Sequence, residues 1–272
     1  MSGRAADTAG NPPALSFDAI AGDYDAARPG YPAALFEALI DASPPRRPLR
    51  ILEVGCGTGI ATEGLARPES EVVAIDPGPN MLAQARRRLA EGPGLAFVHS
   101  SFEAFAPDPA SRFELIVSAQ AWHWVDPQLG YAKAARMLSP GGVLALAGNV
   151  EADPTGELAR AFQAVFGDSP WSLARSGYGV DGFIPRDLAG SGFFADLRHL
   201  HYRRPVRWSA EAYAAMVATH SSVQALGAAV RERLLDALRE AILRQGGELE
   251  SEIETHAWLG VNASGPAAPP PG

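Results

Sequence analysis

The stretch Arg50-Ile51-Leu52-Glu53-Val54-Gly55-Cys56-Gly57-Thr58-Gly59 decides how the rest of the chain is read. An apolar run ends in three alternating glycines, and a helix-compatible segment, Ile60 to Ala66, follows. The pattern is that of a buried strand, a tight turn and a helix start. Glycine lets the backbone turn sharply and lets a ligand approach the main chain without meeting a Cβ.

Outward from this loop, Val72 to Asp76 is a second apolar run, ending in an acid. Its distance from the glycines suits an acid at the tip of a second strand, where a carboxylate accepts hydrogen bonds from ribose hydroxyls. Leu95 to Val98, Phe113 to Ser118 and Val143 to Ala147 are the next strands expected. Helical segments alternate with them, including the one opened by Asp126-Pro127, and Ser139-Pro140-Gly141-Gly142 marks a turn. Such alternation requires a parallel sheet with helices on both faces.

The loop spacing separates two kinds of nucleotide site. The dinucleotide fingerprint G-x-G-x-x-G needs a small residue where Ile60 stands. The chain instead carries E-x-G-x-G-x-G from Glu53 to Gly59. This resembles motif I of the class I S-adenosylmethionine (SAM) methyltransferases, in particular the bacterial small-molecule group that includes trans-aconitate methyltransferase. Three further stretches carry the resemblance. Phe17 to Tyr31 is similar to the family's lead-in helix, Asp76-Pro77-Gly78-Pro79-Asn80-Met81-Leu82 to its D-x-S-x-x-M-L, and Ser100-Ser101-Phe102-Glu103 stands where the family often has G-D-A-E. Gly78 and Ser101 depart from those patterns. A serine hydroxyl there accepts a hydrogen bond more weakly than a carboxylate.

The resemblance implies an α/β, Rossmann-like sheet of seven strands, mostly parallel with one antiparallel, and a helical cap insert. It implies SAM as cofactor and a small-molecule acceptor. On the same basis Tyr24, Arg28, Glu53, Gly55, Cys56, Gly57, Gly59, Asp76, Pro77, Met81, Ser101, Phe102, Ala119 and Gln120 are the expected cofactor residues. His123, between Trp122 and Trp124 just after the fourth strand, is the candidate base or substrate-orienting donor, since imidazole titrates near neutrality. Trp122, Trp124, Trp171, Tyr178 and His220 are the candidate acceptor-pocket residues.

The expected organisation is an arm over 1–14, a SAM-binding core with its lead-in lid over 15–149, a cap insert over 150–192, late strands with inserted helices over 193–262, and a tail over 263–272. In the late part, Phe193 to Arg203 and Ile253 to Val261 are the expected strands. Ser209 caps a helix expected to reach about Leu226, and another is expected from about Val230 to Gln245.

Bulk properties narrow the alternatives. A formal charge of -8 argues against a broad nucleic-acid surface. The chain has Ser118-Ala119-Gln120-Ala121 where amino-methylating DNA enzymes carry N/D-P-P-Y/F. The one cysteine, Cys56, excludes an internal disulfide and is expected to pack beneath the turn. No signal peptide or membrane-spanning run is legible, so a cytoplasmic protein is expected. The six histidines are scattered; His199 and His201 share one face of the sixth strand, but two ligands make a weak site and no metal is expected. Two readings compete with methyl transfer: a nicotinamide oxidoreductase on a similar sheet, and a SAM-binding protein without transfer. Oligomeric state and the acceptor atom are not legible.

Overall fold

The run Leu49–Val54 forms β1, and every residue of it except Arg50 is buried. The computed structural model describes residues 13–108, 111–167, 169, 171 and 177–263. The expected arm, the expected tail and part of the cap insert (168, 170 and 172–176) otherwise lie outside the described residues.

A seven-stranded sheet has the order β3-β2-β1-β4-β5-β7-β6. Its other strands are β2 (Ser70–Asp76), β3 (Leu95–His99), β4 (Phe113–Ala119), β5 (Leu138–Glu151), β6 (Phe194–Ser209) and β7 (Glu248–Asn262). All neighbours pair in parallel except at β7, which runs antiparallel to both β5 and β6. This is the expected sheet. Both late strands are longer than expected, with cross-strand ion pairs such as Arg203–Glu252 and Arg207–Glu250 along the extension.

The helices are α1 (Ala21–Ala27), α2 (Ala33–Ala42), α3 (Thr62–Leu65), α4 (Pro79–Arg88), α5 (Pro127–Met137), α6 (Gly156–Phe166), α7 (Phe183–Gly190), α8 (Ala210–Ala218), α9 (Ser221–Gln224) and α10 (Ala228–Arg244). A 3₁₀ helix, Pro13–Ile20, leads into α1. Local chemistry fixes several ends. Asp126 accepts the Gln128 N–H at 2.9 Å with Pro127 in the first turn of α5, and Ser209 accepts the Ala212 N–H at 3.2 Å to start α8.

The helix expected to reach Leu226 is broken. α8 stops at Ala218, and α9 restarts at Ser221. The physical reason lies in Thr219, whose hydroxyl donates back to Met216 O at 2.7 Å and accepts from Arg28 Nε at 2.8 Å, while its carbonyl accepts from Arg28 at 3.2 Å. A carbonyl engaged by a distant guanidinium is turned out of the helical ladder. The break sets His220 at the start of α9.

Among the described residues the apolar core forms three clusters. One, including Leu35, Phe36, Leu39, Leu65 and Leu82, packs α2, α3 and α4 on one sheet face; another, including Tyr131, Ala134, Ile184 and Leu188, packs α5 and α7 on the other. The third joins α6 to α8 and α10 through Leu158, Phe162, Met216, Leu234 and Leu238, so the helical layer beside the sheet is assembled from two separated stretches of chain.

Candidate active site

The glycine loop leaves β1 with Gly55, Gly57 and Gly59 all at positive φ (69°, 55° and 85°). At Gly55 the need for glycine is double, because a Cβ there would lie 2.3 Å from that of Ala121. At Gly57 a Cβ would meet nothing within 4 Å, so that peptide faces open space. Gly55 and Cys56 donate their N–H groups to Ile75 O at 2.9 and 3.0 Å, tying the loop to β2.

Asp76 completes the tie. Its Oδ2 accepts the Gly57 N–H at 2.9 Å and its Oδ1 the Gly78 N–H at 2.8 Å. Burial pushes its carboxyl up from the usual value, and these two donors counter part of that rise. Glu53, buried at the base of the loop, accepts the Thr62 hydroxyl at 2.6 Å. Burial and the charge of Asp76 push Glu53 up to about 8 against that hydrogen bond, so it is largely protonated at neutral pH. Cys56 is buried beneath the turn as expected, and burial pushes its thiol up.

A cleft opens here at the carboxyl ends of β1, β2, β4 and β5, lined by Glu53, Gly55, Asp76, Ala119, Gln120 and Asn149. Ligands of open α/β sheets bind in this position. Thr58 Oγ1 is buried in the wall with no hydrogen-bond partner among the described residues. An open glycine cradle, a carboxylate at the second strand tip and an orphaned hydroxyl fit a nucleoside-bearing ligand.

The lead-in segment covers the cleft, with Phe17, Tyr24 and Arg28 in its lining. Asp18 fastens it from outside: Oδ1 accepts the Asn80 and Met81 N–H groups at 2.7 and 3.1 Å. It thus caps α4, whose own flanking residue Gly78 has no capping side chain. An Arg88–Asp25 pair at 2.7 Å adds a second tether.

On the far wall Gln120 has φ 61° and pairs reciprocally with Asn149, accepting its backbone N–H at 2.7 Å and donating to its carbonyl at 3.3 Å. Asn149 Nδ2 reaches Pro29 O and Gly30 O, both at 3.2 Å. Glu151, at the end of β5, lies 3.5 Å from His220 and 3.8 Å from Arg28. Burial alone would push the Glu151 carboxyl up, but His220 and Arg28 prevail and hold it down at about 2. Burial and Arg28 push the His220 imidazole down, against the pull of Glu151.

Trp122–Trp124 is a 3₁₀ turn that sends its three rings to different places. Trp124 and His123 line the cleft. Trp122, expected in the pocket wall, is buried between Phe102 and Tyr131, both with centroids 5.4 Å away. Three successive side chains in so short a turn cannot face one cavity. Tyr178, also expected in the wall, is fully buried behind His123, and its ring fills the space over Gly148. Its oxygen accepts the Trp122 N–H at 3.2 Å and lies 3.4 Å from His123 Nδ1. Trp171 is likewise outside the lining, stacked on Phe162 at 4.4 Å and backing His220 at 4.8 Å. Gly59 packs against Ala85 instead of lining the cleft.

The other expected residues all reach the lining: Tyr24, Arg28, Glu53, Gly55, Cys56, Gly57, Asp76, Pro77, Met81, Ser101, Phe102, Ala119, Gln120, His123, Trp124 and His220. Arg28 is already engaged with Thr219 and Glu151. Asn149 and the tether Asp18 were missed, as was Glu151 behind the lining. Asn149 and Glu151 end an apolar run, a position that resembles Asp76 at the end of β2.

Comparison with known proteins agrees with this geometry. Residues 51–142 match the family described as "Methyltransferase domain". An uncharacterized methyltransferase of Mycobacterium tuberculosis is 36% identical over 142 residues, 52% of this chain and 55% of the relative. Trans-aconitate 2-methyltransferase of Methylobacterium nodulans is 34% identical over 139 residues, 49% of this chain and 50% of the relative. The chain thus spans about half the length of the curated relatives it matches. A solved structure, a putative type II methyltransferase from Anaeromyxobacter dehalogenans, has a TM-score of 0.61 at 26% identity, covering 86% of this chain and 97% of that one. Sheet order, glycine loop and matches together resemble those of class I SAM-dependent methyltransferases, and residues 51–142 carry the methyltransferase-domain match. Trans-aconitate methyltransferases are among the proteins the chain resembles over about half its length. No helix among the described residues is long and apolar enough to cross a membrane.

Proposed function

We propose that this chain transfers the methyl group of SAM to a small-molecule acceptor. The observation that carries the reading is one cleft uniting the glycine loop, Asp76 and His123 under a lead-in segment. In this reading adenosine lies among Asp76, Met81, Ser101 and Phe102, and the amino-acid end lies near Gly55 and Gln120. SAM, when bound, supplies an electrophilic methyl on a sulfonium. Asp76 retains lone pairs beyond those used by Gly57 and Gly78, and these accept ribose hydroxyls. Phe17, whose ring lies 6.1 Å from Trp124, helps exclude water from the reacting end.

His123 is read here as an orienting donor. Burial pushes the Tyr178 phenol up, so it keeps its proton. In this reading the Tyr178 oxygen accepts from Trp122 and its O–H donates to His123 Nδ1, which places a ring proton on Nε2. Such an imidazole offers an N–H to an acceptor group. His123→Gln, which keeps an N–H donor, is therefore expected to retain kcat within about tenfold, while His123→Ala falls further. If His123 is the base, both variants drop by about 10²–10⁴-fold.

Two measurements test the function. S-adenosylhomocysteine (SAH) should raise the melting temperature and NAD should not, because a ligand stabilises the state it binds. SAH release should then be followed with a panel of acceptors that begins with small carboxylic acids, given the trans-aconitate methyltransferases among the relatives. Stabilisation by NAD alone would overturn the reading, and SAH binding with no turnover across the panel would favour a protein that holds SAM without transferring methyl.

A further inference from the structure

The antiparallel pairing of β6 with β7 does something that neither strand shows alone. His201 lies directly opposite His256, and His199 opposite Trp258. Opposed residues in an antiparallel ladder share a face, as do residues two apart along one strand. His199, His201, His256 and Glu254 therefore share one face. His201 Nε2 and His256 Nε2 each lie 3.2 Å from Glu254 Oε2. One ligand atom from each of His201, Glu254 and His256 falls within 4.8 Å of the others, the one such cluster among the described residues.

We propose that His201, Glu254 and His256 form a binding site for a divalent first-row transition-metal ion, with His199 as the partner that orients His256. The site is separate from the methyl-transfer cleft, and none of its residues lines that cleft.

Three observations carry this. The first is spacing. A tetrahedral ion with bonds of about 2.0–2.1 Å to nitrogen and oxygen sets its ligand atoms about 3.3 Å apart. The two histidine–glutamate separations of 3.2 Å already match that edge. The second is the outer partner. His256 Nδ1 lies 2.9 Å from His199 Nε2. With Nε2 turned to an ion, the His256 Nδ1–H donates to His199, the arrangement that fixes tautomer and ring plane in metal-ligating histidines. The third is rigidity. His256 is buried in a strand paired on both sides, and His199 stacks on Trp258 at 3.9 Å with planes 7° apart. Trp258 is itself pinned by donating Nε1–H to Tyr178 O at 2.9 Å.

The donor set selects the class of ion. Two imidazoles and one carboxylate suit zinc, iron, cobalt, nickel or copper in the divalent state, whereas magnesium and calcium want oxygen ligands. His201 is exposed, so the remaining coordination position opens to solvent. Arg203 lies 3.8 Å from the other glutamate oxygen, Oε1, and leaves Oε2 to the histidines.

The test uses the full chain, without a histidine tag, and Zn²⁺ in competition with a chromophoric chelator. Co²⁺ gives an independent readout through its visible absorption. One equivalent of Zn²⁺ should bind. His201→Gln and Glu254→Gln should each weaken it by at least tenfold, and His199→Ala by about 10–100-fold. Because His256 is buried, His256→Ala risks misfolding; His201 and Glu254 are accessible enough that their variants should keep the wild-type melting temperature in EDTA and unchanged SAH binding. Zn²⁺ bound no more tightly by wild type than by the His201→Gln/Glu254→Gln double variant would overturn the site, as would Co²⁺ spectra that these substitutions do not alter.

Discussion

Asp76→Asn isolates what holds the glycine loop in place. The substitution keeps the size of the side chain and changes one acceptor oxygen into an amide. In the structure Oδ1 takes the Gly78 N–H and Oδ2 the Gly57 N–H. An asparagine satisfies one of these and sets its NH₂ against the other, donor facing donor. A buried donor left without its acceptor costs about 1–3 kcal/mol, so about 2 kcal/mol is expected. For a chain of this size that is a fall in melting temperature of about 4–8 °C. SAH affinity should fall by about tenfold or more, because the substitution disturbs both the loop and the carboxylate proposed to accept the ribose hydroxyls. Calorimetry on ligand-free and SAH-titrated protein reads both quantities. A stability loss with unchanged SAH affinity would reduce Asp76 to a loop anchor. An unchanged melting temperature would refute the argument that its two hydrogen bonds fasten the loop.

Glu53 gives a pH prediction of definite sign. Its folded value, raised to about 8, favours the neutral acid in the folded state, so its contribution to stability is present below the ordinary carboxylate range and is lost as pH rises through about 8. Between pH 6 and pH 8 the ligand-free protein should lose on the order of 2 kcal/mol relative to Glu53→Gln, and parallel curves for the two would remove Glu53 as the source. Asp18→Ala deletes the cap that the lead-in segment places on α4 and should raise hydrogen exchange across 17–31 while weakening SAH binding by about 0.5–2 kcal/mol; equal protection in both proteins would make that segment a permanent scaffold. Glu151→Gln should destabilise the protein at neutral pH, because its buried ion partners, Arg28 among them, hold this carboxylate ionised below its usual range. The deficit should shrink as pH falls below the ordinary carboxylate range, and a deficit that stays constant with pH would assign the loss to packing.

What the sequence showed and what it hid divide along one physical line. The core was legible because its signals are local: β1, the alternating glycines and Asp76 lie within a single strand-turn-helix-strand unit, and the backbone geometry of that unit demands those residue types in that order. The site's far side was legible only as a set of suspects, because distant chain segments decide which way a ring points. Trp122 and Trp124 have the same local surroundings in sequence, yet Phe102 and Tyr131 receive one while the cleft receives the other. Thr219 reads as an ordinary helical residue until Arg28, 191 positions earlier, takes its hydroxyl and its carbonyl. That contact ends α8, sets His220 beside Glu151 and ties the lead-in segment to the far side of the cleft, so one guanidinium joins the cover to the wall that holds His220. Loosening the cover should therefore also disturb the position of His220. The histidines follow the same line: His199 and His201 are two apparent ligands on one strand, and the ladder supplies His256 and Glu254 from 53 to 57 positions away. Register, which depends on two strands at once, turned a weak pair into a candidate site.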